Sequence, residues 1–186
     1  MAKIKGSAVR SSLAYLEDRL GKDGLKKVLA VLPEQDRKIL ESAILQSNWY
    51  ELSVLLRLMD AAEMSVGSAG LHGLAWDMGR FSADFGLKGI YRVFMRVADP
   101  HFIIRKSSEV FSTYYDSGSM SAEKVDSRHA VLRLTAFNQP HKAFCDRLCG
   151  FMQRSLEISG CEAVLMTHPK CMARGDAFCQ FEAQWE

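Results

Sequence analysis

The chain has 186 residues, 48% hydrophobic and 25% charged, the balance of an ordinary soluble domain with a sizeable core. Its formal charge of +2 is too small to argue for nucleic acid or an acidic membrane surface, and no run of about 18 apolar residues offers a membrane span. Met1-Ala2-Lys3-Ile4-Lys5 leads into a helical pattern without the apolar segment of a secretory leader, and an odd number of cysteines, five, then implies reduced thiols in the cytoplasm.

Val9, Leu13, Leu16 and Leu20 lie at helical spacing, with Gly21 placed to cap the end. Asp23 reads as the N-cap of a second helix carrying Leu25, Val28, Leu29 and Leu32. Pro33 ends that run and opens a third, with Ile39, Leu40 and Ala43 inward. Asn48-Trp49-Tyr50 breaks the pattern before a fourth stripe of Leu52, Leu55, Leu56 and Met59. Residues 1–63 form a helical region, either part of the same domain or a dimerisation layer. From Met64 to Gly73 the composition turns to Gly, Ser and Ala, which reads as a loop or helix start. Residues 64–186 form the second region. Leu74 to Gly86 is expected to be a helix, with Gly79, Ser82 and Ala83 permitting close packing. Ile90 to Val97 is a short helix, and Asp99-Pro100 starts another running to about Tyr115.

The period then changes. Ser119 to Val125 and Arg128 to Phe137 read as strands joined by a turn at Asp126-Ser127. Asn138-Gln139-Pro140 opens a helix to about Ser159, Glu162 to His168 is a third strand, and Phe178 to Trp185 a fourth. Helices first and antiparallel strands later give an α+β fold, its N-terminal helices packed with a sheet of about four strands.

The last quarter carries the candidate site. Cys145, His168, Cys171 and Cys179 have the spacing C-x22-H-x2-C-x7-C. Thiolates and neutral imidazole are the ligands tetrahedral zinc prefers, and four ligands with no open position describe a closed, structural site. The turn through Gly175-Asp176 returns the chain so that Cys179 faces Cys171, while Cys145 comes from the helix beneath. Cys149, one turn later, is the competing ligand, and Cys161 is left out. The alternative is that these cysteines are small apolar core residues.

The ending Thr167-His168-Pro169-Lys170-Cys171-Met172-Ala173-Arg174-Gly175-Asp176-Ala177-Phe178-Cys179, with the Gly150-Phe151 step before it, resembles the 4-vinyl reductase domain. That domain is similar in fold to TRAPP subunits and to the sensory domains of phenol-responsive activators. The resemblance implies a zinc held by three cysteines, at Cys145, Cys171 and Cys179. The fourth ligand of the phenol sensors, a Glu, falls on His168. The whole chain more closely resembles an uncharacterised deltaproteobacterial, myxobacterial-type family of this fold.

Catalytic motifs are absent: Gly67 to Gly73 lacks the Lys-Ser/Thr of a phosphate loop, and there is no G-x-S-x-G or H-E-x-x-H. His72, His101, His129, His141 and His168 are too far apart in sequence to imply a constellation. Tyr114-Tyr115-Asp116-Ser117 does not match the Tyr-x-Ser-x-Arg haem-propionate motif of nitric-oxide sensors, so the sequence gives haem no support. Aromatic and Met residues such as Trp76, Met78, Phe81 and Phe94 either fill the core or line an apolar pocket. The reading is therefore non-enzymatic: a sensory domain that binds an apolar or aromatic small molecule, with structural zinc and a protein partner for output. The alternatives are a TRAPP-like interaction module and a tetrapyrrole reductase. An enclosed apolar cavity beside the sheet separates the first two. Surplus apolar helix surface in residues 1–63 further implies a homodimer, unless that layer closes on itself within one chain.

Overall fold

A single glycine sets the shape of the first helix. Gly21, at φ 69° and ψ 173°, is the one non-helical residue inside α1 (Gly6–Ala30), a backbone state that favours glycine. The two expected helices are thus present as two helical runs that meet at a kink at Gly21. The computed structural model describes residues 1–66, 73–87, 93, 95–96 and 98–186. Most of the expected helix Ile90–Val97 lies outside them. After α1 come α2 (Glu34–Glu41), α3 (Leu52–Val66), α4 (Leu74–Gly86), α5 (Pro100–Tyr114) and α6 (Lys142–Ile158).

Pro33 is the N-cap of α2 rather than its first residue. Asp36, in the first turn of α2, is buried, and Arg57 of α3 reaches it with two hydrogen bonds. Helix α5 begins where expected, with the Asp99 side chain accepting from the Phe102 N–H at 3.1 Å. Helix α6 begins four residues later than Asn138, because the His141 Nδ1 accepts from the Ala143 N–H at 3.2 Å and caps it there.

Two strands escaped the sequence reading. β1 (Lys3–Lys5) and β2 (Trp49–Glu51) pair antiparallel, with Ile4 opposite Tyr50. Each has three residues, too few to display a period of two. Their role is to fasten the N-terminal layer. Ile4 is fully buried and also bridges Tyr115, and the Ala2 carbonyl accepts from the Leu52 N–H at 2.8 Å.

The main sheet has four antiparallel strands, β3 (Ser119–Asp126), β4 (His129–Thr135), β5 (Leu165–Lys170) and β6 (Cys179–Gln184), in the order β3-β4-β6-β5. Register places Leu132 opposite Phe181 and Leu134 opposite Cys179. These residues and Ala130 and Ala183 make the buried face. The other face is polar, with Arg133 and Glu123 paired at 2.7 Å. β5 is an edge strand, which tolerates Pro169, and its register shifts between Thr167 and Lys170.

Helices α4 and α6 meet through glycines. A Cβ on Gly79 would stand 2.0 Å from the Arg147 carbonyl oxygen, and one on Gly150 would stand 2.0 Å from that of Trp76. Around this contact Arg80 holds Glu157 at 2.7 and 2.8 Å, and Arg154 holds Asp84 at 2.9 and 3.1 Å.

One hydrophobic core runs through residues from Ala2 to Trp185. The apolar faces that implied a homodimer are covered within the chain: Leu16, Leu52, Leu55 and Leu58 are at most 1% exposed. Most of the surface that motivated a dimer is therefore used within the chain, while Val31, Leu45 and Trp49 stay exposed. Among the described residues, no helix is long and apolar enough to cross a membrane. The void beside the sheet, bounded by Ile103, Ile104, Leu132, Met152, Leu156 and Ala183, holds about 10 Å³, the room of at most one water.

Candidate functional site

The four residues singled out by spacing converge. Cys145 stands in the first turn of α6, His168 on β5, Cys171 just after that strand, and Cys179 at the start of β6. Their donor atoms all lie within 4.8 Å of one another. The Cys145 sulfur is 3.9 Å from that of Cys171 and 3.7 Å from that of Cys179. All three thiols are buried and free of disulfide bonds.

The local sequence explains this convergence. Gly175 takes φ 95° and ends a 3-10 turn at Met172–Arg174. The Asp176 carboxylate accepts from the Cys171 N–H at 2.6 Å, and the Asp176 N–H donates to the Cys171 carbonyl at 3.1 Å, so Gly175-Asp176 closes the hairpin that carries both cysteines. Arg174 donates to the His168 carbonyl at 2.8 Å. The His168 ring lies flat on Phe181, 4.6 Å between centroids and 9° between planes. Its Nε2 is buried without a hydrogen-bond partner.

Charge in the cluster is uneven. The hydrogen bond with Cys145 lowers the Cys179 thiol well below the ordinary thiol range against the opposing effect of burial, and His168 and the Met172 N–H add to the lowering. The same bond, with burial, drives Cys145 strongly upward. Three sulfurs and a ring nitrogen are four donors of the soft kind that a tetrahedral metal ion takes. Cys149, pushed up by burial, is not in this group, and Cys161 lies beside the Ser159 hydroxyl at 3.6 Å.

A second polar cluster was missed. Arg147 sits on α6 at 5% exposure. One terminal nitrogen donates to the Ser82 hydroxyl at 3.0 Å, the other to the Tyr115 hydroxyl at 3.4 Å. Its Nε has no partner. The Ser82 hydroxyl also meets that of Ser11 at 2.9 Å, joining α1, α4 and α6. Burial raises the Tyr115 pKa, outweighing the nearby guanidinium, so its phenol is neutral and supplies no counter-charge. The sequence signal was a charged residue among Phe144, Leu148 and Phe151, on a face otherwise apolar.

No protein-family model matches the chain, and no curated protein matches it. Solved structures do. An H-NOX protein from S. oneidensis in its Fe(II)NO state is 12% identical, with a TM-score of 0.75 over 98% of this chain and 99% of that one. The unliganded Fe(II) H-NOX protein from K. algicida is 11% identical, with a TM-score of 0.70 over 98% and 97%. An oxygen-binding H-NOX domain related to soluble guanylate cyclases, in its oxygen complex, is 12% identical, with a TM-score of 0.69 over 98% and 95%. These neighbours overturn the resemblance to 4-vinyl reductase and TRAPP domains. The Cys, Gly-Asp, Cys ending is a short hairpin, and its local chemistry does not specify the packing of the other three quarters of the chain. They also correct the expectation of structural zinc as the cofactor, because the S. oneidensis and K. algicida structures are of Fe(II) proteins. Across nearly its whole length, the chain has the α+β fold of the H-NOX domains.

Proposed function

We propose that this protein is a small-molecule-binding sensory domain rather than an enzyme. The observation that supports it is the similarity of fold, over almost all of both chains, to H-NOX proteins solved in an Fe(II)NO state and as an oxygen complex. The interaction-module and reductase readings have no such support. Reduced, buried thiols suit a cytoplasmic setting.

Haem is the ligand these neighbours point to, and the described residues meet only part of its requirements. Arg147, with its unpartnered nitrogen, suits a carboxylate. An axial ligand is not beside it: His101 turns to the Ser127 carbonyl and Trp185, His141 caps α6 and faces Asp60, and His168 belongs to the thiol cluster. His129, on β4 opposite Gln184, has a buried Nε2 without a hydrogen-bond partner, and His72 lies outside the described residues. Anaerobic reconstitution with hemin and dithionite tests the haem form of the reading. A Soret band that moves on adding carbon monoxide or nitric oxide is the expected result. A protein that retains no haem after desalting removes haem as its ligand.

A second site belongs to this proposal. Cys145, His168, Cys171 and Cys179 form a metal-ion site, supported by their donor atoms lying within 4.8 Å and by the unpartnered His168 nitrogen. Elemental analysis of protein purified under reducing conditions without chelator should find about one ion per chain, as one tetrahedral site requires. Metal-free protein would sink this assignment.

A further inference from the structure

We infer that Arg147 is the anchor of a binding site for a carboxylate-bearing small molecule. The inference rests on the sensory reading above and names the ligand's chemical class.

The argument begins with charge. A guanidinium is not deprotonated in proteins, and a buried charge is strongly disfavoured unless an opposite charge meets it. The partners of Arg147 are two hydroxyls, of Ser82 and Tyr115, and its Nε has none. Among the described residues it forms no ion pair. The segments outside them, 67–72 and 88–92 with positions 94 and 97, contain neither Asp nor Glu. The chain therefore does not supply the missing negative charge from either source. Elsewhere it does supply the opposite charge: buried Asp36 has Arg57, and half-buried Glu157 has Arg80 and Arg154.

The surroundings suit a carboxylate. The free Nε and a terminal nitrogen of one guanidinium form the fork that receives two carboxylate oxygens. Tyr115 adds a hydroxyl donor. Ser82 and Ser11 now donate to the Met78 and Ala8 carbonyls, and their hydroxyl hydrogens are free to rotate towards an incoming anion. The site joins α1, α4 and α6, so an occupant neutralising Arg147 would change what holds these three helices together.

Thermal unfolding and fluorescence titration test this with full-length wild type and Arg147→Met. The probes are sodium acetate, butyrate and succinate, hemin, and hemin dimethyl ester, which lacks free carboxylates. Wild type is expected to be stabilised by at least one free-carboxylate probe. Arg147→Met should bind that probe at least tenfold more weakly and be no less stable than wild type in its absence. Hemin bound at least tenfold tighter than its ester identifies porphyrin carboxylates as the source. A response to the aliphatic acids identifies a free carboxylate. Equal binding of hemin and ester by both proteins overturns the carboxylate site and leaves the sensory reading standing. No response of wild type to any probe overturns the site. If Arg147→Met does not fold, Tyr115→Phe carries the test: it should weaken the same probe several-fold, and unchanged binding overturns the proposal.

Discussion

Gly79 of α4 lies so close to Arg147 of α6 that a Cβ there would stand 2.0 Å from the Arg147 carbonyl oxygen. The obstacle is backbone, which has no rotamer to yield, so the helices must separate. Gly79→Ala should cost roughly 2–4 kcal/mol, at or above the upper end of ordinary overpacking. Gly150→Ala, facing the Trp76 carbonyl, should cost a similar amount. Urea denaturation measures both, and a loss under 0.5 kcal/mol at either site would show that the crossing is looser than drawn.

Arg57→Ala should destabilise by about 2–3 kcal/mol. It strands Asp36, whose side chain is 6% exposed, without its counter-charge. The value lies below that for a fully buried pair because Arg57 is 45% exposed. Exchanging both residues for apolar ones should recover much of the loss, which a double-mutant cycle reads directly.

Acid stability should depend on Glu157. Burial pushes its carboxyl upward, but hydrogen bonds from Arg80 and Arg154 outweigh that and hold it below the ordinary value. A group lowered in the folded state contributes stability above its unfolded pKa of about 4.5 and loses it as pH falls through the folded one. Wild type should therefore lose stability below about pH 4.5, where Glu157→Gln should show a shallower loss. Parallel curves for the two proteins would remove Glu157 from the account.

Cys171→Ser or Cys179→Ser should bring bound metal to background and lower the melting temperature, because binding energy at such a site is folding energy. Cys161→Ser should change neither. Asp176→Ala, which frees the Cys171 N–H, should weaken metal affinity roughly 10–100-fold without touching a ligand. Full metal content in the Cys179 variant would move the fourth ligand elsewhere, with Cys149 the first to examine.

The sequence was most legible where one chemical demand fixed one residue. Gly21 marked a backbone break, Asp99-Pro100 marked a helix start, and Gly175-Asp176 marked the turn that unites Cys171 with Cys179. The long-range contacts were not legible. β1 and β2 are defined by each other and not by any pattern of their own. The α6 start at Lys142 depends on a His141 cap that a Pro140-centred reading overlooks. Arg147 stood out only as a charge on an apolar helix face, and its hydroxyl partners Ser82 and Tyr115 come from distant parts of the chain. The α+β class and the four-stranded sheet were legible, but the family was misassigned because the residues that resembled another family form one hairpin, which does not specify the crossing of α4 and α6 or the β1–β2 clasp.

The strand order has a consequence for how the molecule is assembled. β6 is last of the strands in sequence, yet it lies between β4 and β5. Until it arrives, β5 has no neighbour and β4 pairs only with β3. The hairpin of β3 and β4 can form early, but the sheet closes only when the final strand slots in, the kind of distant pairing that slows folding. Cys179 begins that strand, so the step that completes the sheet is also the one that brings the third sulfur to Cys145 and Cys171.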